Sequence, residues 1–131
     1  DQEQGGSGGG KVCVIFAGET TIDMKGFGAP RKIGKGGRCS HMALMVAAEL
    51  QGQGGWTLLS AGTDGQDGPT DSAGAFCDGF TIQRSQALGQ SYQQALETFD
   101  SYGFFEKEGG LFRTGLTGTN VMDLHMLLCC K

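Results

Sequence analysis

Glycine recurs through this sequence so often that no regular element can run far before a turn interrupts it. There are 25 glycines in 131 residues, about two to three times ordinary usage. Glycine at that density marks tight turns, or places where backbone comes close to a neighbour or a ligand. Residues 1–10 are polar and glycine-rich and read as a flexible linker to something upstream, which leaves residues 11–131 as one domain. A domain of this size buries somewhat under about 70% of the surface its unfolded chain exposes, enough for one modest core.

Between the glycines the apolar residues fall into short runs. Val12, Cys13, Val14, Ile15 and Phe16 follow one another without a polar break, the pattern of a strand covered on both faces. Thr20 to Met24 alternates and predicts a second strand, and Gly26 to Gly37 predicts a long loop. Arg38 to Leu50 predicts a largely buried helix, and Trp56 to Ala61 a core strand. A short helix is expected over Ser72 to Cys77, capped by Thr70 or Asp71. Further helices are expected over 83–88, 91–99 and 101–108, and a final strand from Val121 to Leu128. Strands alternating with helices imply the α/β class, with a mixed, partly parallel sheet flanked by helices.

No stretch reaches the roughly 18 to 20 apolar residues of a membrane helix, and the N-terminal residues lack a signal-peptide pattern. A soluble chain in the cytoplasm is expected, with the mitochondrion as the alternative and no membrane partner. A net charge of -4 argues against nucleic acid. Cys13, Cys39, Cys77, Cys129 and Cys130 show no C-x-x-C spacing, so reduced thiols are expected in preference to a redox or zinc module. His41 and His125 have no carboxylate or cysteine at metal-ligand spacing.

The distribution of charge says more than the total. Lys25, Arg31, Lys32, Lys35 and Arg38 are half of the chain's 10 lysines and arginines, and no acid interrupts them. Gly36-Gly37-Arg38 runs straight into the predicted helix, where free amides and the helix dipole favour an anion such as phosphate. A solvated basic loop is the plainer alternative. From Arg38 to Arg84 the basic residues stop, and Asp64, Asp67 and Asp71 crowd the loop after a core strand. Carboxylates there can hold Mg2+ or orient a hydroxyl, although Asp-Gly pairs are also ordinary turn chemistry. Gly115 to Asn120 offers the hydroxyls of Thr117 and Thr119 and the amide of Asn120, and Glu19 stands at the end of the first strand.

Gly18-Glu19-Thr20-Thr21, Gly36-Gly37-Arg38, the string from Ser60 to Asp71, Asp100-Ser101-Tyr102-Gly103-Phe104-Phe105 and Thr117 to Asp123 together resemble the MOFRL domain, the C-terminal domain of type-2 glycerate kinases. The resemblance covers roughly residues 11–128. It implies a kinase that uses ATP and Mg2+ to convert glycerate to 2-phosphoglycerate, with its active site between this domain and a larger N-terminal domain of the same polypeptide. It implies a catalytic cation at Arg38, with the Asp64 and Asp67 loop and the Thr117 to Asn120 loop as cleft walls; beside it, the residues themselves lead us to expect Lys35 to bind phosphate and Asp64 or Asp67 to serve catalysis or hold the metal. Substrate or phosphate would meet Gly36, Gly37, Glu19, Thr63, Thr117, Thr119 and Asn120. The sequence departs from the family's usual residues: Cys39, Ser40 and His41 stand where Asn-Gln-Glu is common, Phe99 where Asn is common, and Ala17 where a glycine is usual. Those departures motivate the alternative, a diverged non-catalytic ligand-binding or interaction module that keeps the fold.

Overall fold

A computed structural model describes residues 10–19, 21 and 33–130. The linker except Gly10, nearly all of the strand expected over Thr20 to Met24, and the basic residues Lys25, Arg31 and Lys32 lie outside the described residues. In chain order the elements are β1 (Lys11–Gly18), α1 (Arg38–Glu49), β2 (Trp56–Gly62), β3 (Gly74–Asp78), α2 (Thr81–Ala87), α3 (Tyr92–Glu97), α4 (Ser101–Glu108), β4 (Leu111–Phe112) and β5 (Asp123–Cys130).

The α/β class holds, but the partly parallel sheet does not. The five strands lie in the order β1-β5-β2-β3-β4, and every neighbouring pair is antiparallel. The reason is a late insertion. β1, α1 and β2 form a crossover whose two strands run the same way, as the alternation of elements suggests, yet β5 returns between them and pairs with both. A second correction has the same consequence. Ser72 to Cys77 is not a helix: Gly74 to Asp78 is β3, running back along β2 with Ser60 opposite Ala75. A side chain at Gly74 would collide with the carbonyl of Ser60, so glycine is what lets the two backbones close up there.

The core lies on one side of the sheet. Ala43, Leu44 and Ala47 of α1 pack with Leu58, Ala75 and Cys77 of the strands and with Ile82, Ala95, Phe104 and Phe105 of the later helices. Ser91 caps α3 by accepting a hydrogen bond from the Gln94 amide, and Gly109 ends α4 in the left-handed region at φ 101°. β1 departs from expectation. Its apolar run reads as covered on both faces, yet Lys11 to Ala17 are all exposed, because β1 is the edge strand and α1 packs over β2 and β3.

Candidate functional site

The start of α1 is built by glycine and one aspartate. Gly37 is extended (φ -131°, ψ 179°) and supplies no side chain to cap the helix. Asp67, which is 1% exposed, takes that place: Oδ1 accepts from the Cys39 amide at 2.8 Å and Oδ2 from the Ser40 amide at 2.9 Å. Thr70 Oγ1 donates to the Asp67 carbonyl at 2.8 Å, which ties the carboxylate loop together. A Cβ at Gly37 would strike the Asp67 carboxylate, and one at Gly36 would strike Ser101 Oγ. The two glycines thus serve a close approach of the basic turn, the carboxylate loop and the start of α4. The anion at the helix N-terminus is the chain's own Asp67.

Arg38, the first residue of α1, points to a different carboxylate. Its Nε donates to Asp123 Oδ2 at 2.7 Å and its Nη2 to Asp123 Oδ1 at 2.9 Å, a bidentate fork. Asp123 is wholly buried, while the Arg38 side chain keeps 33% of its surface exposed. The hydrogen bond to Asp123 holds the guanidinium above its already high pKa, burial opposes this, and Glu19 adds attraction from the end of β1. Asp123 opens β5 between Gly18 of β1 and Gly62 of β2. A Cβ at Gly62 would lie 3.2 Å from Asp64 Oδ1 and 3.6 Å from Asp123 Oδ1, so both carboxylates border that glycine. Arg38, Asp123, Asp64 and Glu19 therefore gather where β1 and β2 end. Cys39 sits between the two buried carboxylates, and burial first, then Asp67 and Asp123, raises its thiol well beyond the ordinary range.

The Thr117 to Asn120 loop is laced to the turn after β2. Thr63 Oγ1 donates to the Met122 carbonyl at 2.7 Å and accepts from the Val121 amide at 2.8 Å. The Thr117 hydroxyl donates to the Thr63 carbonyl, and Asn120 Oδ1 accepts from the Met122 amide at 3.0 Å. Among the described residues Thr119 Oγ1 has no hydrogen-bond partner. A side chain at Gly65 would collide with the Gly115 carbonyl, so the two turns touch through backbone. Met122, at φ 70°, swings the chain from this loop into β5 and so delivers Asp123.

Lys35 is only three residues from Arg38 but is held elsewhere. Its amide donates to Asp100 Oδ1 at 2.9 Å, and its Nζ lies 4.2 Å from the centre of the Tyr102 ring. The Tyr102 hydroxyl donates to Asp71 Oδ1 at 2.7 Å, which with Arg113 beside it lowers the Asp71 pKa. The structure thus brings Arg38, Asp64, Glu19, Thr63 and the Thr117 loop into one neighbourhood, and anchors Lys35 to α4.

The sequence reading missed Asp123 as a site residue. Its signal was an acid at the head of an apolar run, where a buried charge demands a partner. His125, which has no metal-ligand partner at sequence spacing, is 2% exposed, stacks on Phe16 with ring centres 5.1 Å apart and shares a 2.9 Å hydrogen bond between Nδ1 and Ser60 Oγ. His41 stacks on Phe99 at 5.2 Å, and burial lowers the pKa of both histidines. Phe99 sits at φ 54°, a left-handed conformation that asparagine adopts more readily than phenylalanine. All five cysteines are free, and burial pushes the Cys77 thiol up to about 12. As for Mg2+, both Asp67 oxygens are taken by amides and both Asp123 oxygens by Arg38, and no three His, Cys, Asp or Glu among the described residues converge on a point that would hold a metal. The residues present do not fit that ion by themselves.

The fold and this neighbourhood define a two-layer α/β domain that presents an arginine-carboxylate fork at its strand ends. Residues 12–123 match the MOFRL family, and the chain belongs to it. It is 48% identical to the D-glycerate 2-kinase of Thermotoga maritima over 113 residues, 86% of this chain and 26% of that protein. It is 43% identical to a glycerate kinase of Danio rerio over 127 residues, 92% of this chain and 24% of the other. The crystal structure of the Thermotoga maritima glycerate kinase superposes with a TM-score of 0.80 at 44% identity, covering 89% of this chain and 27% of that one. A Pyrococcus horikoshii protein superposes with a TM-score of 0.79 at 34% identity, over 89% and 26% of the two chains. The chain spans about a quarter of the length of these relatives.

Proposed function

We propose that this chain is the C-terminal part of an ATP-dependent glycerate kinase whose active site it shares with an N-terminal domain of the same polypeptide. The observation that carries this reading is the Arg38 fork: two of its donors are fixed on a fully buried Asp123, while a third of the side chain stays open beside Asp64 and Glu19. A guanidinium held in this way is pre-oriented, and it meets negative charge developing on a transferred phosphoryl group without first reorganising.

In the reaction the hydroxyl oxygen of glycerate bonds to the terminal phosphorus of ATP, the bond to ADP breaks, and the hydroxyl proton is released. Arg38 faces the transferring group. Asp64 and Glu19 border the same opening and orient the acceptor. Thr119 and Asn120, on the loop pinned by Thr63 and Thr117, line its wall. Asp67 acts through Arg38, since it fixes the first turn of α1 from which Arg38 projects. Mg2+ neutralises phosphate oxygens in such transfers, and no step is assigned to it on this chain's residues.

The second reading, a non-catalytic module, draws on the His41-Phe99 ring stack, which stands where the family commonly has a carboxylate and an amide. Replacing the matched quarter of the Thermotoga maritima enzyme with this chain separates the two. The kinase reading expects glycerate-dependent ADP formation that falls about 100-fold or more in Arg38→Ala. A folded, inactive chimera with no response to Arg38→Ala would leave the binding-module reading standing.

A further inference from the structure

One face of the sheet has its helices and the other has none of the described ones. In β2, β3 and β5 the side toward the helices is buried at Leu58, Ser60, Ala75, Cys77, Asp123 and His125. Of the alternate residues, Leu59, Phe76, Met126 and Leu128 are partly or fully exposed, while Ala61 and Gly74, toward the Asp123 end, are buried. They are not polar, however. The register sets Ile15, Met126, Leu59 and Phe76 side by side across four strands, with Ile15 61% and Phe76 40% exposed. Phe112 adds an edge-on ring 5.2 Å from Phe76. The charged residues on this face, Lys11 and Asp78, lie at the end remote from Asp123. An antiparallel sheet whose second face met water would alternate apolar with polar.

We infer that this bare face is the seat of the larger part of the same polypeptide, which lays an apolar layer across Ile15, Met126, Leu59 and Phe76. The inference rests on the reading that the chain is one part of a longer kinase. Two observations select this occupant. The relatives devote about three quarters of their length to chain outside the matched unit. β1 also has the composition of a strand covered on both faces, and the residues it turns to this face by register, Cys13, Ile15 and Ala17, are all exposed, as a strand separated from a permanent intramolecular partner would leave them. An uninterrupted apolar row with charge only at its rim resembles half of a domain core.

Cys13 and Cys130 are exposed and lie on this face by register, which supplies a probe. The chimera with the Thermotoga maritima enzyme is pulse-labelled with iodoacetamide, and the modification of Cys13 is followed by peptide mass spectrometry. Cys13 should be protected in the chimera and should label at least tenfold faster in Ile15→Asp/Phe76→Asp. Gln86→Asp, an exposed change on the helix side, should label like the parent. Fast labelling of Cys13 in a folded parent chimera overturns the inference. So does protection that vanishes on dilution as a dimer dissociates, because a second copy then covers the face. A protected but inactive chimera keeps the docking and removes the kinase reading; an active, unprotected one does the reverse.

Discussion

Among the described residues two aspartates are buried, Asp67 and Asp123, and they are held by different means. Asp67, 1% exposed, is held by two backbone amides at the start of α1. Asp123, 0% exposed, is held by the Arg38 side chain. Amides engaged in a cap belong to the helix and cannot turn to anything else. A guanidinium has five donors, and the fork uses two, so an outer edge remains for another anion. The first carboxylate fixes architecture, and the second aims a cation that stays available. Charge, residue type and burial are nearly the same for both; the mobility of the partner separates their roles.

The largest effects are expected at the fork. Arg38→Ala strands a buried anion and costs about 3 kcal/mol of stability, reduced somewhat by the exposure of the arginine. In the chimera it also lowers kcat by about 100- to 1,000-fold. Arg38→Ala/Asp123→Ala removes the stranded charge and should regain much of the stability while regaining none of the rate. Urea melts of the four members of the cycle measure the coupling. Strictly additive losses would mean that the pair is not a unit, and the contrast with Asp67 would collapse.

A smaller loss is expected at the cap. Asp67→Ala leaves the Cys39 and Ser40 amides without partners inside a buried turn and costs about 2 kcal/mol. Asp67→Asn keeps one acceptor oxygen and should cost less. Whatever the cap does to rate it does by loosening α1, so kcat should recover wherever stabilising conditions restore the fold. A chimera of full stability and no activity in Asp67→Ala would move Asp67 to the reacting groups and erase the distinction drawn above.

β1, α1 and β2 were legible because their apolar runs are long and glycine stands at or near their ends. α1 and β2 fall within a residue or two of where composition puts them. The sheet order was not legible: the only hint that β5 lies between β1 and β2 is that all three are apolar, and pairing partners leave no mark at short range. β3 was read as a helix because Thr70 and Asp71 resemble a cap, whereas Thr70 Oγ1 bonds the Asp67 carbonyl and the Tyr102 hydroxyl bonds Asp71. At the site, Arg38 and Asp64 were recognisable as charges on glycine-bounded turns. Asp123 was not, since its partner lies 85 residues away.

His41 tests whether the ring stack beside the Asp67 cap is a neutral filler. Burial lowers its folded pKa below the ordinary 6.5, with the Asp67 charge opposing, and burial lowers that of His125 likewise. The unfolded chain therefore binds more protons in the window below 6.5, so this stability is complete above that pH and is lost as pH falls through the folded values. His41→Phe keeps a ring against Phe99 and removes one titrating group. The slope of stability against pH below 6.5 should flatten, which urea melts at a series of pH values on the acid side of 6.5 would reveal. An unchanged slope would assign the acid sensitivity to His125.

The smallest change in stability is expected at Asp64, three residues from Asp67 in the same loop. Asp64 is only partly buried, and its Oδ1 accepts one local hydrogen bond, from the Gln66 amide at 3.0 Å. Asp64→Asn keeps that acceptor and should shift stability by less than about 0.5 kcal/mol. If the carboxylate borders the reacting groups as proposed, kcat of the chimera should nonetheless fall by tenfold or more while the melt stays in place. Asp67→Asn gives the opposite pattern, a lowered melt and a rate that returns with the fold. A matching response of the two variants would show that the loop has one role, because burial alone would then decide what each carboxylate does.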